Sequence, residues 1–339
     1  SRNTLVDDNK EMFHSGNHQG EPGLREAIRS YLHSARGVNC SPEQIIVGAG
    51  SEYLLMLLSQ ILEGKHVIAM ENPTYKQAYR VFRSLDYEVC PVEMDANGME
   101  PELLTRSGAN VAYVMPSHQF PTGVVMPVGR RQELLKWAVE APDRYIIEDD
   151  YDSEFRYRGK PIPALQGMDR SGRVIYLGTF SKCIAPAIRV SYLVLPTHLL
   201  LRYRSQTSFY ASTVSRIDQN ILYQFLAGGY FERHLNRMRA VYKTKHDLLL
   251  EQIEPLRERF EIRGEHAGIH ILLTSRQGES EEQLIQKAEE AGVKVYGLSS
   301  YFIHPQHNHR PATVVLGYAS LSEEQIVEGI RLLMECWGA

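Results

Sequence analysis

The chain has 339 residues, 43% of them hydrophobic, and a formal net charge of −4. It can therefore bury a substantial core, divides by length into about two domains, and has no basic stripe with which to bind nucleic acid by itself. No apolar run reaches the length of a membrane span, no signal-peptide pattern opens the chain, and the four cysteines, Cys40, Cys90, Cys183 and Cys336, lie far apart with no CxxC pair, as reduced cytoplasmic thiols do and a disulfide frame or zinc site does not.

The chain opens on Ser1 and not on Met, which suggests a piece of something longer. The first telling stretch is "GAGSE", Gly48 to Glu52, at the head of "GSEYLLMLLSQIL" (50–62), where Leu54, Leu57, Leu58 and Ile61 share one helical face. Glycines there let the backbone approach a phosphate, and a helix N-terminus offers free N–H groups; a plain strand-to-helix turn explains the motif equally well. "HVIAM" (66–70) reads as a strand and runs into "ENPTY", whose Tyr75 either stacks on a flat cofactor ring or packs as a turn tyrosine on the core. "NVAYVM" (110–115) reads as the next strand. It leads into "PSHQFPTG", where His118 and Gln119 face a cleft while turn chemistry alone accounts for Pro121 and Gly123. The stretch "RRQELLKWAVEA" (130–141) is helical in character.

"RYIIE" (144–148) reads as a strand that ends in "EDDY", Glu148 to Tyr151. A carboxylate there can hold a pyridinium nitrogen protonated, or the acids form a solvated turn. Asp149 and Asp150 are both open, and the face that Asp149 shares with Tyr151 in an extended chain favours Asp149. "RVIYLG" (173–178) precedes "TFSKCIAPAIRVSY". Lys182 can form a Schiff base with an aldehyde when its pKa is lowered, and Ser181 with Arg189 can complete a phosphate cup; each is otherwise a surface residue. After "YLVLP" (192–196) and about residue 205 the pattern changes to long helices, the strands "IHILLT" (269–274) and "TVVLGYA" (313–319), and helices near 280–291 and 322–336. The expected architecture is α/β: a large domain with a mostly parallel sheet covered on both faces, residues 20–232, and a smaller α+β domain formed by 1–19 and 233–339. Ligands of open α/β sheets sit beyond the carboxyl ends of the strands. The order of these motifs, each following a strand, is what a pyridoxal 5′-phosphate (PLP) site needs.

On these motifs the sequence resembles a fold-type I PLP enzyme of the aspartate aminotransferase superfamily over essentially its whole length. More narrowly, "PSHQFPTGVVMPVGRR", "YIIEDDYDSEFRY", "IPALQGMDR" and "YLGTFSKCIAPAIRVSYLVLP" resemble the aminotransferase-like domain of MocR/GabR-type transcription regulators. The resemblance implies that Lys182 holds PLP as the internal aldimine, that Asp149 pairs with the pyridine nitrogen, that Tyr151 bonds the ring O3′, and that Tyr75 stacks on the ring. It implies that Gly50, Ser51, Thr179, Ser181 and Arg189 hold the phosphate. It further implies a winged helix-turn-helix DNA-binding domain upstream of this chain, and a cytoplasmic homodimer whose subunits exchange domains head to tail.

Two departures shape the functional expectation. Phe120 stands where ordinary aminotransferases carry an asparagine that touches O3′, which favours a regulator over an enzyme. GABA-responsive members grip their ligand with two arginines; here the matching positions are Gln77, with Lys76 before it, and Ser300. An amide or a hydroxyl does not replace a bidentate guanidinium, so the effector is expected not to be GABA. Lys76 and Arg310 are the remaining carboxylate partners, with a loop role the simpler reading of Arg310, and His118 faces the same cleft. His304, His307 and His309 read as a solvated loop and no metal is expected. Some members regulate the D-alanyl-D-alanine ligase gene, which makes D-alanine or D-alanyl-D-alanine the candidate effector. The alternative is a genuine aminotransferase, which would need an arginine near Val315; a third reading is a scaffold that has lost its cofactor.

Overall fold

The computed structural model describes residues 14–62, 64, 66–155, 163–184, 187–207, 209–265, 268–304 and 311–338. In chain order they form α1 (Pro22–Arg36), β1 (Ile45–Gly48), α2 (Ser51–Ile61), β2 (Val67–Asn72), α3 (Lys76–Ser84), β3 (Glu88–Asp95), β4 (Gly98–Met99), α4 (Pro101–Arg106), β5 (Val111–Val114), α5 (Val128–Val139), β6 (Tyr145–Asp150), β7 (Val174–Thr179) and β8 (Ser191–Val194). There follow α6 (Thr197–Gln206), α7 (Arg216–Ala227), α8 (Tyr230–Gln252), β9 (Phe260–Arg263), β10 (His270–Ser275), α9 (Glu281–Glu290), β11 (Tyr296–Gly297), β12 (Thr313–Gly317) and α10 (Glu323–Trp337).

The large sheet has eight strands in the order β1-β8-β7-β6-β5-β2-β3-β4. Strands β3, β2, β5, β6 and β7 are parallel neighbours. β8 runs against both β7 and β1, so β1 points the same way as the parallel set. This is the mostly parallel α/β sheet expected from the sequence. Alternate residues of one strand enter different cores: Ile68 and Met70 pack on the face covered by Leu54, Leu57, Leu58 and Ile61 of α2, while Ala69 packs with Leu134 and Trp137 of α5 on the other. Near-continuous apolar strands covered on both faces are the signature of a parallel sheet.

The second sheet is antiparallel, in the order β11-β12-β10-β9. Ile271, Leu273, Val314 and Leu316 turn one face onto Leu284, Ile326, Ile330 and Trp337 of α9 and α10. Helix α8 joins the two cores, since Phe231 and Leu235 pack with the large sheet and Leu249 with the small one. Gly229, at φ +67, separates α7 from α8. Among the described residues no helix is long and apolar enough to cross a membrane, and no group of three or more His, Cys, Asp or Glu side chains could hold a metal.

Candidate functional site

The carboxyl ends of β1, β2, β5, β6 and β7 all open on the same edge of the large sheet, and β8 starts there. A cavity of about 280 Å3 lies at this edge. It is lined by Gly50, Ser51, Tyr75, Asp149, Tyr151, Thr179, Ser181, Lys182 and Arg189, which are all nine residues expected to hold the cofactor, together with Glu52, Met115, Phe120, Ser191, Ile269 and His270. Residues as distant in sequence as Gly50 and Arg189 thus meet because most of them lie at or just beyond strand ends on one edge of the large sheet; Asp149 itself is within β6, which runs to Asp150 and so extends past the strand expected at 144–148.

The carboxylates of "EDDY" separate by strand alternation. Asp150 faces α1, where Arg36 Nε donates to it at 2.7 Å and the Tyr176 hydroxyl at 2.5 Å. Glu148 accepts from the backbone N–H groups of Leu165 and Gln166, each at 2.8 Å. Asp149 alone of the three lines the cavity, and it accepts a hydrogen bond from the Tyr113 hydroxyl. Tyr113 sits on β5 in register with Ile147, so it and Asp149 share a face. Burial pushes the Asp149 carboxyl up to about 7, against the pull of the Tyr113 hydroxyl toward the ionised form. A cation set against it would favour the charged form.

The phosphate end begins at Gly50, which has φ +98 and precedes the first residue of α2. A Cβ at Gly50 would stand 2.6 Å from Arg189 Nη2, so only glycine permits this approach of guanidinium to helix terminus. Its own N–H is engaged by the Gly48 carbonyl at 3.0 Å. The anion-binding donors are therefore the N–H groups of the first helical turn, from Ser51 onward, which have no partner inside the helix. Thr179 Oγ1 accepts from the Ser191 hydroxyl at 3.0 Å and from the Ser181 N–H at 3.2 Å. The Ser181 hydroxyl donates to the Ile188 carbonyl at 2.7 Å, which closes the loop carrying Lys182 and Arg189. Arg189 is ion-paired to Glu52 at 2.8 Å.

Phe120 is the aromatic centre of the other wall. Its ring meets Tyr75, Tyr151, His270 and Tyr301 edge-on at centroid distances of 6.1, 6.3, 5.1 and 5.2 Å. It offers Tyr151 no hydrogen bond, as expected, and His118 stands in: its Nδ1 lies 3.2 Å from the Tyr151 hydroxyl and 2.8 Å from Asp152. His270, the first residue of β10, donates from Nε2 to the Pro121 carbonyl at 2.9 Å. Burial, with His118 beside it, pushes its pKa down to about 4, so the ring is neutral at ordinary pH.

The effector candidates are less gathered. Lys76 and Gln77 open α3 directly after Tyr75. Ser300 lies in the turn 298–301, where its hydroxyl donates to the Gly297 carbonyl at 2.8 Å; the next residue's carbonyl, that of Tyr301, accepts from the Thr74 N–H at 3.1 Å. His118 is buried behind Tyr151. None of these four lines the cavity among the described residues. Arg310, His307 and His309 lie outside the described residues. Val315 is buried in β12 opposite Leu272. Sequence reasoning missed Tyr113, Ser191 and His270; the signal was a polar residue within or opening an otherwise apolar strand.

A lysine amine in a cavity with a buried carboxylate at one end and a helix terminus with an arginine at the other fits PLP. A profile of the family described as "Aminotransferase class I and II" matches residues 2–332. The chain is 43% identical over 336 residues to the HTH-type transcriptional regulator YdeL of Bacillus subtilis, covering 99% of this chain and 72% of that protein. It is 36% identical over 318 residues to the probable rhizopine catabolism regulatory protein MocR of Rhizobium meliloti, covering 93% of this chain and 63% of that one. Among solved structures, the kynurenine aminotransferase of Pyrococcus horikoshii superposes with a TM-score of 0.84 at 28% identity, covering 99% of this chain and 85% of that chain.

Proposed function

Because the chain belongs to the aminotransferase class I and II family, in its MocR-type regulator branch, it is the PLP-binding part of a regulator, and we propose that it uses the cofactor to sense a small amino compound. The observation that carries this reading is the single cavity shared by Lys182, Asp149, Tyr151 and Arg189. Bound there, PLP supplies an aldehyde open to lysine or to a free primary amine, and an electron-withdrawing ring.

The chain's own residues divide the work. Asp149 holds a proton on the ring nitrogen, and the Tyr113 hydroxyl fixes the carboxylate that does so. Tyr75 covers the ring. Ser51, Thr179, Ser181 and Arg189 grip the phosphate, while Gly50 leaves room for it. Tyr151, backed by His118 and Asp152, donates to the ring oxygen beside the aldehyde. Lys182, which lines the cavity, would be the group that holds the cofactor's aldehyde, and its amine, when not so engaged, could hold a proton. Ile269 and His270 belong to the start of the small sheet and line the same cavity, so a change of occupant is felt in both sheets. Displacing one against the other would move an attached DNA-binding domain. In this reading the larger unit is 20–232, the smaller is 1–19 with 233–339, the DNA-binding domain lies upstream, and the protein works as a homodimer.

Gln77 and Ser300 provide no guanidinium for a carboxylate, and Val315 provides none from β12. This speaks against GABA as the effector; the candidates D-alanine and D-alanyl-D-alanine rest on the resemblance to regulators of the D-alanyl-D-alanine ligase gene and not on these positions. The test is an absorbance titration of the PLP-loaded protein with D-alanine, L-alanine, D-alanyl-D-alanine and GABA, with Lys182→Ala as the control. A Lys182-dependent band that shifts with one of the alanyl compounds and not with GABA supports the proposal. A response to GABA alone contradicts the effector assignment, and no Lys182-dependent band at all contradicts the sensor.

A further inference from the structure

Glu52 is the one residue of the phosphate cup whose charge opposes its task. It is in the first turn of α2 and lines the cavity with Ser51 and Arg189. Its Oε2 receives Arg189 Nη2 at 2.8 Å. A Cβ built on Gly50 would stand 3.1 Å from that same carboxylate oxygen and 2.6 Å from the guanidinium. Both charged groups therefore crowd the glycine over which a phosphate must lie. A phosphate held by the N–H groups of α2 must share Arg189 with Glu52 and sit beside a like charge. The first turn of a helix favours a carboxylate for its own sake, yet here that carboxylate competes with the ligand for the same N-terminal field.

We propose that Glu52 is a specificity-determining counterweight that holds down the affinity of the cup for the phosphate group. This rests on the PLP reading of the site above. The side chains of Glu52 and Arg189 are 33% and 58% exposed, so solvent screens the competition and its scale is modest, roughly five- to tenfold in affinity.

The experiment is an equilibrium titration of cofactor-free protein with PLP and, separately, with pyridoxal, which has the aldehyde and ring but no phosphate. Wild type, Glu52→Gln and Glu52→Ala are compared, and thermal melts establish that each variant is folded. Both variants should bind PLP roughly five- to tenfold more tightly while pyridoxal affinity stays unchanged. A second arm raises the salt concentration, which should narrow the gap between wild type and variants as screening grows. Weaker or unchanged PLP binding in both variants overturns the proposal; weaker binding would make Glu52 a group that positions Arg189. An equal gain for pyridoxal also overturns it, since the effect would then lie outside the phosphate. Wild-type protein that forms no Lys182-dependent band with PLP would overturn the cofactor reading itself, whereas a normal band with unchanged affinity in the variants sinks this inference alone.

Discussion

Tyr113 is an apolar-strand residue in every respect except its hydroxyl, which is fully buried and donates to Asp149. The bond stabilises the charged carboxylate, and the carboxylate is what a protonated ring nitrogen requires. Tyr113→Phe should therefore weaken PLP binding by a factor of about ten and leave Asp149 harder to ionise, at a cost on the order of 1–3 kcal/mol for the orphaned acceptor; a PLP titration at neutral pH checks this, and an unchanged affinity would show that Asp149 needs no orienting partner. At this scale the sequence was informative where function demands a residue in an odd place. Lys182, Asp149 and Arg189 could be singled out because charged groups stand near the ends of apolar strands. Asp149 was set apart from Asp150 because a strand alternates its faces; Asp150 turns to Arg36 and Tyr176 while Asp149 lines the cavity. Tyr113 and His270 were not readable, since a tyrosine or histidine in an apolar strand is ordinarily core, and only the register with β6 and the turn at Pro121 reveal their partners.

The elements that were legible are those with a strong period. Strands β2, β5, β6, β7, β10 and β12 and helices α2, α5, α9 and α10 carry uninterrupted apolar runs or clean helical faces. β3 was missed because it lies near the sheet edge, mixes polar and apolar residues as "EVCPVEMD", and contains Pro91, which a central strand would not tolerate. β4 and β11 are too short, at two residues each, to show any period, and pairing makes them strands; β1, at four residues like β5, was not read from the sequence. Helix α10 shows how local chemistry fixes an end. The Ser322 hydroxyl accepts from the Gln325 N–H at 3.2 Å while the Gln325 side chain accepts from the Ser322 N–H at 2.8 Å. Ser322→Ala should lower unfolding stability by about 1 kcal/mol in urea melts and leave PLP affinity untouched, because α10 packs on the small-sheet core far from Lys182. A change in PLP affinity would mean that the small sheet is coupled to the cofactor more tightly than Ile269 and His270 imply.

Across the whole molecule, buried carboxyls set the response to pH. Burial raises Asp149, Glu148 and Glu154 to about 7 and Glu71 to about 8. Each binds a proton in the folded chain over a range where the unfolded chain has lost it, so stability falls as pH rises toward these values. His270 works in the opposite sense, since its pKa is pushed down from 6.5 to about 4 and the unfolded chain takes up the proton only below 6.5. Between about pH 6.5 and 8 the carboxyls act alone in this set, and the melting temperature of cofactor-free protein should decline; Asp149→Asn should flatten the decline, and a flat or rising profile in the wild type would contradict the burial argument. The same molecular scale carries the main functional claim, that Lys182, Asp149 and the cup serve detection and that chemistry on the amine is incidental. The direct measurement is the yield of 2-oxo acid from PLP-loaded protein under saturating D-alanine with an acceptor 2-oxo acid present. At most about one equivalent per cofactor, in a protein whose absorbance still responds to the amine, is the predicted result. Sustained turnover over many equivalents would contradict it and make the chain a working aminotransferase.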